Sequence, residues 1–397
     1  MNHLAILGST GSIGRQCLSV VEESLPDQFV VCGLAAGSNL DELVKQIARH
    51  RPNVVSVANA QKADELAERL RAKKVAPVPS IHHGREGMLV IATLSRAEII
   101  VSAAVGVVGL EATYEAVKLG KTVALSNKEV LVAAGELVMA AAKKAGRELL
   151  PVDSEHNAVH QCLRGGKSTE VRRLVLTASG GPFRKTPLSD FDSITPEQAL
   201  AHPNWRMGNR ITIDSATMMN KGFEIIEARW LFGMRPDQIE VVIHPQSTVH
   251  SFVEFIDGSV LAQLGPTDMR MPIQYALTYP ERLASNQIAL DWKKLKRLDF
   301  ASASTRRFPC LKLAREAMKK GGALPCALNA ADEVAVAAFL ERRLSFPGIA
   351  EVIESVLART PRAKFENISD VLAADAEARR MAKEGVARLS SVTAVAS

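Results

Sequence analysis

Residues 4–14 constrain the fold more than any other stretch. A strand-like run, Leu4-Ala5-Ile6-Leu7, breaks at once into Gly8-Ser9-Thr10-Gly11-Ser12-Ile13-Gly14, and a helical pattern follows from Arg15. Strand, glycine turn and helix form the arrangement that cradles a pyrophosphate. The glycines let the backbone approach closely, and the free N–H groups of the helix start face the anion. The spacing is G-x-x-G-x-x-G, a variant of the dinucleotide fingerprint, and an ordinary glycine-rich strand–helix turn is the alternative. An NAD site carries Asp or Glu at the end of the second strand, where it holds the ribose 2′-OH. Here that strand, 29–35, runs into Ala36-Gly37-Ser38-Asn39 with no carboxylate. The missing acid removes repulsion against a 2′-phosphate and favours NADP over NAD. No Arg or Lys stands at 37–39, which leaves Arg15 as the nearest cationic candidate.

The rest of the first 150 residues extends the same theme. Strand patterns at 3–7, 29–35, 53–57, 89–92, 98–103, 122–126 and 148–152 alternate with amphipathic helices at 39–51, 62–74, 110–119 and 128–145. Alternation of this kind predicts a Rossmann-type parallel sheet with helices on both faces. Past residue 151 the rhythm changes. A strand at 173–177 meets Gly180-Gly181-Pro182, and a polar, proline-containing stretch runs to about 209. A strand at 211–214 then leads into a helix at 216–232. Strands at 249–256 and 259–264 flank Asp257-Gly258, a hairpin signal. Only helices follow: 310–319, 326–343, 348–358 and 369–388. The expected organisation is mixed α/β: a dinucleotide domain over 1–150, an α+β domain over 151–275 whose sheet edges could serve dimerisation, a connector over 276–307, and a helical domain over 308–397.

Composition narrows the function. The chain has 397 residues, is 47% hydrophobic and 5% aromatic, and carries a net charge of +6. The basic residues are scattered, and no aromatic-interleaved basic stripe suits nucleic acid. A mild positive excess suits small anions. Five cysteines, an odd number without a C-x-x-C pair, argue against a disulfide framework or a structural zinc site. The expectation is a cytoplasmic enzyme with neither a leader nor a membrane span.

Candidate chemistry gathers where strand 148–152 ends, in Asp153-Ser154-Glu155-His156-Asn157. Ligands in parallel sheets sit beyond the carboxyl ends of strands. In extended chain Asp153 and Glu155 share a side. Asn220 and Glu224 lie at i,i+4 on the following helix and share a face. Three carboxylates without cysteine suit a hard ion, Mg²⁺ or Mn²⁺. Alternatively, Asp153 and Glu155 cap a helix and Glu224 is a solvated helix residue. Ser179-Gly180-Gly181 has the make-up of an anion nest. Ser215 reads as a helix start suited to phosphate, with Lys221 as its counter-ion. His202 and Trp205 stand in the polar stretch; a lid over substrate is the functional reading of Trp205, and packing of the loop on its own domain is the alternative. His244 and His250 read as structural histidines, with a role in the site as the alternative.

Eight strings, quoted in chain order, resemble the 1-deoxy-D-xylulose 5-phosphate reductoisomerases. They are Gly8-Ser-Thr-Gly-Ser-Ile-Gly14, Ser126-Asn-Lys-Glu129, Pro151-Val-Asp-Ser-Glu-His-Asn-Ala158, Ser179-Gly-Gly-Pro-Phe-Arg184, His202-Pro-Asn-Trp205, Asp214-Ser-Ala-Thr-Met-Met-Asn-Lys-Gly222, Ile243-His-Pro-Gln-Ser247 and Pro309-Cys-Leu-Lys-Leu-Ala314. The resemblance runs through essentially the whole chain. It implies a homodimeric enzyme of the non-mevalonate isoprenoid pathway that uses NADPH and Mg²⁺ or Mn²⁺, with Co²⁺ a further candidate. Such an enzyme turns deoxyxylulose phosphate into 2-C-methyl-D-erythritol 4-phosphate, and fosmidomycin-type hydroxamates inhibit it. By motif, 151–275 is implied as the catalytic, metal-binding and dimerisation domain with a lid at 179–209, and Asp153, Glu155 and Glu224 are implied as metal ligands. Ser154, Glu155, Ser179, His202, Trp205, Ser215, Asn220, Lys221 and Glu224 are implied at the substrate, with Ser179, Ser215, Asn220 and Lys221 on its phosphate. Gly8, Thr10, Gly11, Ser12, Ile13, Gly37, Ser38, Asn39, Asn127, Glu129 and Gly208 are implied at NADPH, and Lys128 on the substrate side as a catalytic residue. Some members carry lysine where Ser38 stands, so the departure bears on the strength of NADP preference. Two other classes stay open: another Rossmann dehydrogenase, of semialdehyde or homoserine type, and a non-catalytic NADPH sensor.

Overall fold

The computed structural model describes residues 1–205, 207–285 and 289–395. The chain divides into two compact units. The first holds Met1–Val130, Val138–Asn157 and a segment from Asp268 through a helix at Arg270–Thr278; the second holds Leu131–Leu137, Ala158–Thr267 and the chain from Ala289 onward.

The first unit is built on seven parallel strands: β1 (Asn2–Leu7), β2 (Phe29–Ala35), β3 (Val54–Val57), β4 (Ser80–His83), β5 (Ile99–Ser102), β6 (Thr122–Leu125) and β7 (Leu149–Pro151). Their order is β4-β3-β2-β1-β5-β6-β7. Leu4 pairs with Val31 and Ile99, and Ile6 with Leu34 and Val101, in a core that excludes water. Strands buried on both faces read as continuous apolar runs, which is why β1, β2 and β5 stand out in the sequence. The order reverses at β1, between β2 and β5, so the glycine turn opens at the switch point of the sheet. The helices of this unit are α1 (Ser12–Ser19), α2 (Leu40–His50), α3 (Ala60–Ala72), α4 (Gly84–Thr93), α5 (Leu110–Lys118) and α6 (Glu129–Lys144), the last with a non-helical residue at Ala134.

Helix α7 (Ser154–Leu163) starts two residues beyond Val152. In the second unit β8 (Val171–Ala178) is the middle strand of a five-stranded mixed sheet, ordered β11-β10-β8-β9-β12. Its partners are β9 (Ile239–Ile243), parallel, and β10 (Val249–Phe255), antiparallel; β11 (Val260–Leu264) and β12 (Ala301–Ser302) are the edges. The β10–β11 hairpin turns at Asp257-Gly258 as the sequence predicts. Short α8 (Pro196–Leu200), then α9 (Asn209–Thr217) and α10 (Met219–Phe232), precede β9, and α11 (Arg270–Thr278) belongs to the first unit. Helices α12 (Pro309–Lys320), α13 (Leu324–Leu340), α14 (Phe346–Arg359) and α15 (Ile368–Val395) complete the second unit around Phe223, Leu328, Phe339 and Ile353.

Two expected strands are helices. Residues 89–92 lie in α4, and the strand of that region is β4, upstream. Residues 211–214 lie in α9, where Thr212 Oγ1 donates to the Gly208 carbonyl at 2.9 Å and Arg210 reaches Asp214 one turn on. These contacts override the β-branched Ile-Thr-Ile composition.

Candidate functional site

In the first unit the cofactor candidates collect at the carboxyl ends of the parallel strands. Gly8, Thr10, Gly11, Ser12 and Ile13 form the β1–α1 turn, and Gly37, Ser38 and Asn39 the β2–α2 turn. The first turn is tied down by Gly8 and Ser9 N–H groups, which both donate to the Ala35 carbonyl at 2.8 Å. A Cβ on Gly14 would sit 2.4 Å from the Gly8 carbonyl oxygen, so only glycine lets α1 start this close to the strand. Asn39 caps α2, its Oδ1 accepting from Glu42 N–H at 3.2 Å. Asn127 is buried and donates to the Gly106 carbonyl at 2.8 Å, ahead of Lys128 and of Glu129 at the start of α6.

At the end of β7 the chain does not stay extended. Helix α7 begins at Ser154, so Asp153 and Glu155 are not the two same-face residues of a strand. Asp153 Oδ1 accepts from the Glu155 N–H at 3.2 Å, a helix-capping bond, and Ser154 Oγ donates to the Glu155 carboxylate at 2.5 Å. The Lys128 ammonium lies 2.7 Å from Asp153 Oδ2, and His156 Nδ1 lies 3.4 Å from Oδ1. Burial pushes the Asp153 carboxyl up. The Lys128 charge and the His156 hydrogen bond outweigh it and hold the carboxyl well below the usual carboxylate range. His156, fully buried, is a residue that the sequence reading passed over; its place three residues after Asp153, across the first turn of a helix, was the available signal.

In the second unit a second set forms around the end of β8. Ser179 Oγ lies 3.0 Å from His202 Nε2 and accepts from the Gly181 N–H at 3.2 Å. His202 Nδ1 accepts from the backbone N–H of Trp205 at 2.9 Å and of Asn204 at 3.2 Å, so in the neutral ring Nε2 carries the proton and donates to Ser179. Burial lowers the His202 pKa, which favours the neutral ring. Ser179 Oγ thus accepts two hydrogen bonds, and its own proton is left to donate. Gly181 has φ +64°, and a Cβ there would meet the Ser215 carbonyl oxygen at 2.8 Å. The Ser179 turn therefore packs directly on Ser215.

Ser215 does not begin a helix. It lies in the last turn of α9, which ends with Met218 in the left-handed region, and α10 starts at Met219. The N–H groups suited to an anion here belong to the first turn of α10, which carries Asn220 and Lys221. Lys221 donates to Glu224 Oε2, and Asn220 Nδ2 donates to Oε1 at 2.5 Å. Glu224 is completely buried and Lys221 nearly so, which removes the reading of Glu224 as a solvated helix residue.

The stretch 179–209 is not uniform. Phe183 and Phe191 pack edge-on against Phe346 at centroid distances of 5.2 and 5.8 Å, and Arg307 donates to the Phe183 carbonyl at 3.1 Å. Thr195 caps α8. Farther along, Asn204 Nδ2 reaches the Pro245 carbonyl at 2.6 Å and Ser247 Oγ at 3.1 Å. Trp205 lies 6.5 Å from the His250 ring, and Gly208 is the N-cap of α9. Asn204 and His250 are further residues that the sequence reading did not assign to the site. His244 stacks on Phe300 at 4.7 Å and bonds the Asp299 carbonyl, a structural role.

Three family models cover this chain: 1-deoxy-D-xylulose 5-phosphate reductoisomerase over residues 4–135, its C-terminal domain over 149–232, and DXP reductoisomerase C-terminal domain over 264–381. A 1-deoxy-D-xylulose 5-phosphate reductoisomerase of Solibacter usitatus is 51% identical over 97% of each chain, and one of Pseudomonas fluorescens strain SBW25 is 48% identical over 98% of each. Among solved structures, the reductoisomerase of Zymomonas mobilis in complex with NADPH superposes with a TM-score of 0.90 at 42% identity, covering 97% of this chain and 99% of the other. A DOX-P reductoisomerase in complex with NADPH, fosmidomycin and magnesium superposes at 0.92 with 38% identity, covering 97% and 98%. Strand order, both sets of polar residues and near-complete coverage by relatives about half identical agree: the chain belongs to the 1-deoxy-D-xylulose 5-phosphate reductoisomerase family.

Proposed function

We infer that this chain catalyses the NADPH- and divalent-metal-dependent isomerisation and reduction of 1-deoxy-D-xylulose 5-phosphate to 2-C-methyl-D-erythritol 4-phosphate, a step of isoprenoid biosynthesis. The observation that carries the reading is a pair of carboxylates, Glu224 buried and Asp153 partly so, each matched by its own lysine: Asp153 by Lys128, and Glu224 by Lys221. Carboxylates held beside ammonium groups, with Glu155 close in sequence, fit a hard divalent cation. Asp153, Glu155 and Glu224 would hold Mg²⁺ or Mn²⁺, which supplies charge stabilisation to oxygens on adjacent substrate carbons. The relative solved with NADPH, fosmidomycin and magnesium supports a magnesium-dependent reaction and hydroxamate inhibition.

The chain's own residues account for the rest. The turns after β1 and β2, with Asn127 and Glu129, present backbone and small polar groups to NADPH. Ser179 has a proton to donate, and with Ser215, Asn220 and Lys221 it would hold the substrate phosphate. That anchoring is remote from the reacting carbons and so supplies orientation. Lys128 and Ser154 would lie on the substrate side. We read the isomerisation as carbon–carbon cleavage and re-addition, which yields an aldehyde that must be retained until hydride arrives. Closure of the segment bearing His202 and Trp205 would exclude water. The Phe183–Phe191–Phe346 cluster fixes the earlier part of 179–209, so the moving part is the later one.

A homodimer is supported by edge strand β11, where Val260 and Leu261 are exposed beside Ile256. No helix among the described residues is long and apolar enough to cross a membrane. Five free, buried cysteines suit the cytoplasm. The deciding experiment follows NADPH absorbance with 1-deoxy-D-xylulose 5-phosphate and Mg²⁺ or Mn²⁺, with and without EDTA. Metal-dependent oxidation is expected. Oxidation indifferent to EDTA would point to another Rossmann dehydrogenase, and NADPH binding without oxidation to a sensor.

A further inference from the structure

Arg210 stands two residues into α9, where a cation opposes the helix dipole, so the helix itself gives no reason for it. Its guanidinium is largely buried. It donates to Asn329 Oδ1 at 2.8 Å and lies 3.5 Å from Asp332 and 3.6 Å from Glu333, all on α13, and 3.8 Å from Asp214 on its own helix. The ring of Phe223 on α10 is 5.9 Å away. Glu333 is in turn bonded to Arg379 of α15, which also holds Asp375 at 2.6 Å. Ionic groups buried this far seldom stabilise more than apolar residues of the same volume, and their best-attested role is to fix one arrangement.

What they fix here is α9. Asp214 immediately precedes Ser215, and Gly208, at the other end of the helix, closes the segment that carries Trp205. We propose that Arg210, held by Asn329, Asp332 and Glu333, is a positioning residue for substrate phosphate: it clamps α9 to α13 so that Ser215 keeps its place against Gly181 while the Trp205 segment moves. The proposal rests on the reading of Ser215 as a phosphate ligand. Burial, together with the Asp214 charge, pushes the Asp332 carboxyl well above the usual range, and Arg210 counters this only in part.

The test compares steady-state kinetics on 1-deoxy-D-xylulose 5-phosphate and on its dephosphorylated form in the holoenzyme. Arg210→Met should raise the KM for the phosphorylated substrate by about tenfold, the scale of one charge-assisted hydrogen bond. Its kcat and NADPH affinity should stay near wild type, and kcat/KM for the dephosphorylated substrate should not change. Equal losses on both substrates, or an unchanged KM, would overturn the clamp. If Arg210→Met does not fold, Arg210→Lys, which keeps the charge and loses the planar fork, reads the same split. Ser215→Ala is the control. If it leaves the phosphorylated KM unchanged, the phosphate reading has failed; if it raises that KM while Arg210 variants do not, the clamp alone has failed.

Discussion

On the proposed function, the two units would bind their anions by opposite means. The first would use backbone, N–H groups and glycines at the ends of parallel strands, with side chains such as Asn39 and Asn127 spent on holding the turns. The second would use side chains, Ser179, His202, Asn220 and Lys221, each oriented by a neighbour. A backbone site is broken by adding atoms, and a side-chain site by removing them. The chemistry follows the same division. A cofactor shared by many enzymes needs only a generic cradle, whereas one substrate needs a particular set of charges.

The strongest break is expected in the side-chain site. Glu224→Gln should lower metal-supported turnover by about 100-fold or more while NADPH affinity stays within a few-fold. Fluorescence titration of NADPH beside the turnover assay checks both halves, and equal turnover would remove Glu224 from the ligands. The reciprocal break is Gly14→Ala. Its Cβ meets the Gly8 carbonyl and the Ser9 Cα at 2.4 and 2.5 Å, and overpacking of this kind costs about 1–3 kcal/mol. NADPH affinity should fall about tenfold or more, with kcat at saturating cofactor less affected.

A smaller effect tests the hinge of the polar loop. Burial lowers the His202 pKa, so the unpacked loop binds the proton more readily than the packed one. Packing is then fully favoured above the ordinary histidine range and weakens as pH falls through that range toward the lowered value. Limited proteolysis within 201–208 should quicken from about pH 7 to about pH 5. In His202→Gln the same cleavage should show no such dependence. The mildest change sharpens the first unit: Ser38→Lys should tighten NADPH relative to NADH by about two- to fivefold, the reach of one exposed ion pair. An unchanged ratio would place the 2′-phosphate elsewhere.

The same contrast explains what the sequence disclosed. The parallel sheet was legible because its strands are buried on both faces and its switch-point turn is written in glycines. β4 escaped because Ser80-Ile81-His82-His83 is a half-exposed edge strand without an apolar run, while the nearby run at 89–92 is one turn of a helix with Ile91 and Ala92 buried. A short apolar run does not distinguish the two. In the second unit Glu224 and Lys221 were legible as a motif, but their geometry was not. Ser215 looked like a helix start because the left-handed break at Met218, which ends one helix and begins another, leaves no proline or glycine behind. His156 was silent because a histidine takes its meaning from a carboxylate that only the fold brings beside it.

The cofactor unit is finished late in the chain's life. Its core includes Ile273, Ala276 and Leu277 of α11, more than a hundred residues beyond Asn157. A chain growing from the ribosome therefore presents the sheet with part of its cover missing until the whole of 158–267 has been made. That intervening stretch must fold, or be shielded, beside an unfinished neighbour. For the same reason a fragment ending near residue 157, although it contains every strand of the sheet, should be a poor soluble NADPH-binding module, and expression of the sheet as a free domain requires α11 to be grafted back.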